Sequence, residues 1–381
     1  MKIKYLILFA AIMCFACKEE FQLDSSNNQS LIVIEGFVSN EPGPYTINVS
    51  RSSQLDEPEL NQITGCQVIL KTDNGVEEVL TEIEPGKYVS DKDGIKGEVG
   101  HKYKLSVSTK ENEIYETEFQ EMKEPIEISS LYIDVDTIES NDNPDGLSGY
   151  QFLIDTKVAS STNSYLLWKL TESYEYVVDY KLYGIWNGSL YVVNQDTLFN
   201  FNDTYRCWNT QDIKNIFTAN MANLSYPEIS KKKLHFVGTD SKRLTIKYSV
   251  LVNQYSINEE TYGFWKGVED QMSEDNYLYS SQPHNIRSNI TNINKPEEVV
   301  LGFFTVASVS KQRIYVDNEF SQFSYEKSFV ITDPTVIYDP RRPIPRYFVK
   351  TEDGILGEVQ RSAFDCRKDG GETTKPYFWT F

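Results

Sequence analysis

The side chains able to do chemistry are few, and their spacing matches no familiar catalytic or metal-binding pattern. The 381-residue chain contains five cysteines and three histidines. The histidines, His101, His235 and His284, are far apart, whereas zinc sites place at least two ligands close together in sequence. There is no His-Glu-x-x-His motif, no Gly-x-Ser-x-Gly motif and no phosphate-binding glycine loop. The sequence therefore predicts a non-enzymatic protein without a metal site or cofactor, with its histidines at the surface or at strand ends.

Cys17 is the one cysteine whose setting indicates a covalent reaction. Two lysines precede an apolar run over residues 5–15, and Ala16 places a small residue just before Cys17. This is the layout of a secretory signal, and its apolar run is too short for a permanent membrane-spanning helix. A cysteine at the cleavage point is similar to the lipobox of bacterial lipoproteins, which implies removal of residues 1–16 and acylation of Cys17. An ordinary cleaved signal, giving a soluble periplasmic protein, is the alternative.

A polar segment follows the cysteine. Lys18, Glu19 and Glu20 resemble the signal that sends Bacteroidota lipoproteins to the outer face of the outer membrane. Residues 17–30 show no apolar periodicity, so they cannot bury enough surface to fold and are predicted to form a flexible tether. We therefore expect a protein held to the outer membrane by acyl chains on Cys17 and facing the cell exterior.

The charge balance is strongly acidic. Without residues 1–16 the chain keeps 35 of its 37 Lys and Arg residues against 56 Asp and Glu residues, which gives a net charge of −21. Binding to nucleic acid or to an anionic lipid surface needs an excess of cations that displaces counterions. The composition therefore argues against nucleic-acid partners, and the predicted membrane attachment is hydrophobic.

Three further cysteines lie in the body of the chain. Cys66 alternates with the apolar Val68, which predicts a buried strand residue that acts as a small hydrophobe. Cys207 and Cys366 stand alone in sequence. They are able to form a disulfide in an oxidising compartment, although sequence does not decide whether they meet.

Short β-branched and aromatic runs separated by turn residues fill residues 31–122. Residues 31–38 end at a turn cluster, and Asn74-Gly75 is a hairpin-type pair that can adopt positive φ. About seven short strands with no helical pattern between them predict a Greek-key sandwich of the immunoglobulin type. A hinge is expected at residues 122–125.

Residues 126–381 predict a larger, aromatic-rich β domain, because bulky side chains suit the faces of a sheet. Its predicted strands include residues 130–135, 150–157, 165–170, 174–182, 244–252, 299–309 and 312–316.

One helix is predicted within this larger domain. Ser256 and Glu259 have the spacing of a capping box, and an apolar stripe continues over residues 257–272. The stripe predicts a helix packed on the sheet, with a partner-binding face as the alternative. Its members are Ile257, Thr261, Trp265, Val268 and Met272.

Several short segments, taken in order, resemble the domain of unknown function 4249 family. They are residues 31–38, 86–88, 100–105, 253–256, 285–292, 300–304 and 365–379. The family looks like outer-membrane lipoproteins of Bacteroidota that are often encoded beside TonB-dependent transporters. The resemblance thus implies an accessory role at a transporter barrel. It transfers no catalytic residues, because the family has none established.

Trp186 and Tyr191 flank Asn187-Gly188 and are candidates for stacking on a sugar or peptide ligand; core packing or a hairpin turn explains them equally well.

Three functions follow from the sequence. The first is a lipoprotein that captures a nutrient for a TonB-dependent transporter, the second is a structural or adhesive surface subunit, and the third is a glycan-active enzyme.

Overall fold

The computed structural model describes residues 30–53, 61–139, 146–158, 164–188, 190–192, 202–222, 224, 226–274, 286–337, 339 and 341–379. The strands of these residues, numbered in chain order, are β1 Ile32–Ser39, β2 Thr46–Arg51, β3 Asn61–Gln62, β4 Gln67–Thr72, β5 Glu77–Val79, β6 Thr81–Glu84, β7 Lys87–Val89, β8 Lys102–Ser108, β9 Ile114–Thr117, β10 Gln120–Glu121, β11 Ile128–Ile138, β12 Leu147–Lys157, β13 Tyr165–Val177, β14 Leu182–Trp186, β15 Leu190–Val192, β16 Arg206–Asn220, β17 Glu228–Gly238, β18 Lys247–Ile257, β19 Ile290–Asn292, β20 Phe304–Asp317, β21 Arg346–Lys350 and β22 Leu356–Val359.

Three α-helices accompany them, α1 Asn202–Tyr205, α2 Glu259–Glu274 and α3 Pro334–Ile337, with 3-10 turns at Lys242–Leu244, Arg361–Ala363 and Cys366–Asp369. The strands form four sheets. The nine-stranded sheet has the order β16-β13-β18-β20-β1-β2-β7-β6, with β3 paired to β2. The six-stranded sheet has the order β19-β9-β8-β4-β5, with β10 paired to β8, and the other two sheets are β11-β12-β17 and β15-β14-β21-β22. The predicted mainly β class is confirmed.

The first part of the chain forms an immunoglobulin-type sandwich. One of its layers is β1-β2-β7-β6 and the other is β9-β8-β4-β5, which is the ABED and GFCC′ arrangement of that fold. The layers enclose a core that includes Ile34, Val49, Val68, Tyr88 and Leu105. Alternating inward side chains therefore produce the sandwich, as the short strand runs predict.

Tyr103 in β8 supplies a tyrosine corner. Its hydroxyl donates to the Lys96 carbonyl at 3.0 Å and accepts from the Glu98 amide at 2.6 Å. The ring is 1% exposed. A tyrosine in this strand that bonds back to the backbone a few residues upstream is a hallmark of immunoglobulin-type sandwiches.

Two later strands complete this sandwich from far along the chain. β20 pairs in parallel with β1, and β19 pairs with β9. Gly302, just before β20, allows the chain to approach β1 closely. Its φ is +83°, and an added Cβ would lie 2.2 Å from the Ile34 carbonyl oxygen. The segments 31–122 and 126–381 thus share one continuous sheet.

β20 also corrects one prediction from the sequence. Residues 299–309 and 312–316 are expected as two strands, but β20 is a single strand of 14 residues. Ser310 and Lys311 stay in the ladder, paired with Gln254 and Asn253 of β18. The two polar side chains therefore point to alternate faces of the sheet and do not indicate a turn.

A second sandwich lies beyond the first. The β16-β13-β18-β20 part of the large sheet faces the three-stranded sheet across a core containing Tyr150, Phe152, Leu166, Trp168 and Val252. On the opposite face of the large sheet lies α2, which packs on β13 and β16. The packed helix predicted over 257–272 is confirmed.

The predicted start of this helix is wrong by two residues. Ser256 belongs to β18, and its hydroxyl accepts from the Ile126 amide at 2.9 Å. Asn258 caps the helix instead, because its side-chain oxygen accepts from the Thr261 amide at 2.7 Å. In the predicted stripe Thr261 is buried, whereas Met272 is exposed.

Candidate functional site

The candidate site lies on the helix-covered face of the large sheet. Along β13, Leu166, Trp168 and Leu170 face the second sandwich core. Alternation sends Lys169 to the other face, where the register places it opposite Asn253 of β18. A lysine is thereby fixed beside α2 by the hydrophobic pattern of its neighbours.

Aromatic rings surround the Lys169 ammonium group. Its Nζ lies 4.1 Å from the centre of the Trp265 ring and 5.2 Å from that of Phe37. Tyr255 packs edge-on against Phe37 with ring centres 4.8 Å apart. The Trp265 ring is itself held by a 3.2 Å hydrogen bond from Nε1 to the Thr305 hydroxyl. The Trp265 and Phe37 rings therefore attract the ammonium group.

A cavity of about 270 Å³ opens beside this lysine, which is one of its lining residues. We call it the Lys169 cavity; its other lining residues are Leu170, Thr171, residues 212–216, Asn253 and Tyr255. Burial lowers the pKa of Lys169, although the carboxylates of Glu35 and Asp212 act in the opposite direction. A cleft residue with a perturbed pKa is a candidate for ligand binding.

A second polar cluster is buried on the other side of β13. The Glu172 carboxylate accepts a hydrogen bond from Gln211 Nε2 at 2.6 Å and a shorter one from the Tyr248 hydroxyl. Arg243 Nη1 lies 3.5 Å away and His235 Nε2 lies 3.7 Å away. Protein groups thus occupy both oxygens of Glu172, and we interpret the cluster as part of the scaffold.

The pKa of Glu172 follows from these contacts. Burial alone raises it, but the nearby His235, Tyr248, Gln211 and the Arg243 charge outweigh that effect and lower the pKa to about 2. Glu172 is 2% exposed. Its carboxylate therefore stays charged inside the protein across the physiological range.

His235 departs from the expectation of a surface or strand-end histidine. It lies inside β17, and its side chain is only 14% exposed. The ring stacks on Phe152 with centres 6.3 Å apart. His101 is more exposed and contacts Asp73 at 3.1 Å, whereas His284 lies outside the described residues.

Cys207 and Cys366 are joined by a disulfide bond with an S–S distance of 2.05 Å. Both residues are fully buried. The Tyr176 hydroxyl donates to the Cys366 carbonyl at 2.9 Å. The bond ties the start of β16 to the C-terminal 3-10 turn. Cys66 packs against the first core one residue before β4.

The two candidate stacking aromatics lie in the four-stranded sheet. The register pairs Trp186 with Leu190 and Ile185 with Tyr191. Positions 186 and 191 therefore alternate across the hairpin and do not share a face. A cavity of about 350 Å³ beside this sheet is lined by residues 179–183, Tyr205 and residues 350–352. Ligand stacking by the two aromatics stays a prediction.

The predicted lipidation site Cys17 and the predicted export residues Lys18, Glu19 and Glu20 lie outside the described residues. Within those residues, no group of three or more His, Cys, Asp and Glu side chains gathers as metal ligands. No described helix has the length and apolar character needed to cross a membrane.

Comparison with protein-family models gives a match over most of the chain. A family model described as a domain of unknown function (DUF4249) matches residues 18–313. This matched range includes six of the segments whose sequence resembles the family, namely residues 31–38, 86–88, 100–105, 253–256, 285–292 and 300–304. No curated protein matches the chain.

Proposed function

The chain belongs to the DUF4249 family, and from that premise we propose that it is a non-enzymatic, lipid-anchored protein of the outer membrane that captures a ligand for a TonB-dependent transporter. The observation that carries the proposal is the N-terminal pattern, in which Cys17 follows a short apolar signal and Ala16. The family match begins at residue 18, directly after this cysteine. The match therefore leaves out the segment that we expect to be removed or lipidated.

The disulfide supports export. Cys207 and Cys366 are bonded and fully buried, and protein disulfides persist mainly in oxidising compartments outside the cytoplasm. An acidic body with a net charge of −21 after signal removal is also poorly suited to anionic lipid. Acyl chains at Cys17 then supply the attachment, because several buried chains hold firmly where one does not.

Ligand capture is supported by the Lys169 cavity. It combines a half-buried cation, the aromatic ring of Tyr255 and unoccupied space, which are the features of small-molecule sites. The second polar cluster, around Glu172, has its oxygens taken by protein groups. A binding role therefore fits the described residues better than catalysis. The TonB-dependent partner rests on the family resemblance.

A crosslinked pull-down from intact cells tests the proposal. The full-length chain carries a tag after Phe381, and proteins recovered from gently solubilised membranes are identified by mass spectrometry. We expect an outer-membrane barrel of the TonB-dependent class to be enriched. The matched control is Cys17→Ser, which should lose the barrel together with the anchor. Repeated recovery of the chain alone, or with adhesive surface proteins instead, would contradict the transporter role.

A further inference from the structure

The first observation concerns the charge of Lys169. Within the part of the chain that the structure describes, none of the ion pairs includes this lysine, whereas Lys266 on α2 pairs with Asp270 at 2.6 Å. The Lys169 ammonium group contacts aromatic rings instead. Burying a cation without a direct ion-pair partner is costly, and the carboxylates of Asp212 and Glu35 act on Lys169 only from a distance. A site that accepts this cost keeps the positive charge available for something that enters from outside.

The second observation concerns the polar atoms around the cavity. Burial raises the pKa of Tyr255 to about 12, so its phenol is a neutral hydrogen-bond donor at physiological pH. Asn253 donates from Nδ2 to the Lys169 carbonyl at 3.4 Å. Its Oδ1 is buried and has no hydrogen-bond partner among the described residues. The cavity thus offers a cation and a phenolic donor, whereas the buried Asn253 oxygen is not accessible from it.

The third observation limits the charge of the ligand. Asp212 also lines the cavity, and its Oδ1 accepts from the Thr171 hydroxyl at 2.8 Å. The charge of Asp212 acts on Lys169, as does that of Glu35. Lys214 lines the cavity as well, so the lining carries two positive charges and one negative charge. With Glu35 added, no surplus positive charge is left for a doubly charged anion such as a phosphate monoester. One negative charge on the ligand matches this arrangement better.

Apolar side chains supply the rest of the lining. Ile216 and the Tyr255 ring, which pack on the helix side of the sheet, border the cavity, whereas the lining residues Leu170 and Ile213 pack against the second sandwich core. A volume of about 270 Å³ lies just below the usual range for drug-sized ligands. The space therefore suits a small molecule with an apolar body and one charged end.

We propose that the Lys169 cavity binds the carboxylate of a small organic acid. Lys169 Nζ pairs with the carboxylate, the Tyr255 hydroxyl donates to it, and the apolar body of the acid lies against Ile216. The inference rests on the proposed role in ligand capture and gives that role a ligand class.

Calorimetric titration of the mature chain tests this inference with three probes of similar shape. Phenylacetate carries one negative charge, phenylacetamide carries none, and benzyl phosphate carries two near neutral pH. We expect phenylacetate to bind about tenfold or more tightly than either of the others. The amide loses the charge-assisted pair with Lys169, and the second charge of the phosphate is opposed by the nearby carboxylates. Equal affinity for the acid and the amide, or binding of neither, overturns the inference.

A matched pair of variants locates the site. Lys169→Met should abolish phenylacetate binding. Lys232→Met is the control, because Lys232 is also half-buried, has a pKa lowered by burial and lies 5.5 Å over the Trp168 ring. An equal loss of affinity in both variants contradicts the assignment.

A third measurement uses wild-type protein and so does not depend on variant folding. The lysines of this chain are ¹³C-methylated, and the pKa of the Lys169 amine is read from the pH dependence of its NMR signal. Phenylacetate should raise that pKa, because the bound carboxylate favours the charged amine. An unmoved Lys169 resonance at saturating acid overturns the inference. Acid binding without barrel co-purification rejects the transporter role alone, and barrel co-purification without acid binding rejects the ligand class alone.

Discussion

Lys169 Nζ lies 4.1 Å from the centre of the Trp265 ring, and through this contact a strand of the large sheet meets the helix that covers it. The strand alternation sets the position of the lysine, and the inner stripe of α2 sets that of the indole. Lys169 also lines the cavity that we associate with ligand capture. The consequences of the Lys169 and Trp265 pair for stability differ from those of an ordinary buried ion pair.

Lys169→Met should leave the free energy of unfolding within about 1 kcal/mol of wild type, or raise it, because it removes a desolvated charge that has no ion-pair partner among the described residues. Lys242→Met is the contrast. Lys242 pairs at 2.8 Å with Asp179, whose side chain is 3% exposed. Its loss leaves that buried carboxylate without its cation and with only the hydrogen bonds from Ser328, which should cost about 3 kcal/mol. Urea titrations measure both. Equal losses would refute the account of Lys169.

Glu172 gives a prediction about acid stability. Its folded-state pKa of about 2 is below the ordinary 4.5, so its contribution is fully present above pH 4.5. The contribution disappears as the pH falls toward 2, and it amounts to about 3 kcal/mol. Glu172→Gln should lack this portion of the pH dependence in urea unfolding between pH 2 and 5. Glu260→Gln, at an exposed position of α2, should retain it; parallel curves for all three proteins would count against the role of Glu172.

The disulfide should contribute strongly to stability. Cys207 and Cys366 are 159 residues apart in sequence, and removing a native disulfide typically costs about 2–5 kcal/mol. Cys207→Ser, Cys366→Ser and the double variant should show the same loss, because any one change breaks the bond. Differential scanning calorimetry with and without reductant checks this. A wild-type transition that reductant does not lower would contradict it.

Tyr103→Phe should cost about 1–3 kcal/mol, because it leaves the Glu98 amide and the Lys96 carbonyl without their shared partner. Tyr132→Phe serves as the control. The Tyr132 hydroxyl donates at 3.1 Å to Asp155 on the three-stranded sheet, and its loss should cost less than about 1 kcal/mol. Similar losses in both variants would show that the tyrosine corner is not special.

Much of the first sandwich could be predicted from the sequence. Alternating apolar residues and turn pairs such as Asn74-Gly75 act over a few residues, and they mark each short strand. The parallel pairing of β20 with β1 could not be predicted, since it joins Gly36 to Phe304 and leaves no local period in either segment. Long-range pairing is set by the packing of the whole fold.

Only some residues of the candidate site could be predicted from the sequence. The stripe of α2 places Trp265 against the sheet, and residues 165–170 are predicted as a strand. A single lysine inside the apolar run Leu166-Leu167-Trp168-Lys169-Leu170 is the signal that could have found the cavity. Phe37 and Tyr255 lie far apart in the chain, and only the folded sheet brings them together.

The anchor at Cys17 is the claim that the proposed function depends on most, and one fractionation experiment tests it directly. Wild-type chain and Cys17→Ser are expressed in the native host and followed by membrane separation, protease treatment of intact cells and mass spectrometry of the N-terminal peptide. We predict that wild type begins at an acylated Cys17, stays with the outer membrane and is digested from outside. The Cys17→Ser chain should be unprocessed or released. A Cys17→Ser chain that is processed, membrane-bound and digested like wild type would contradict the account.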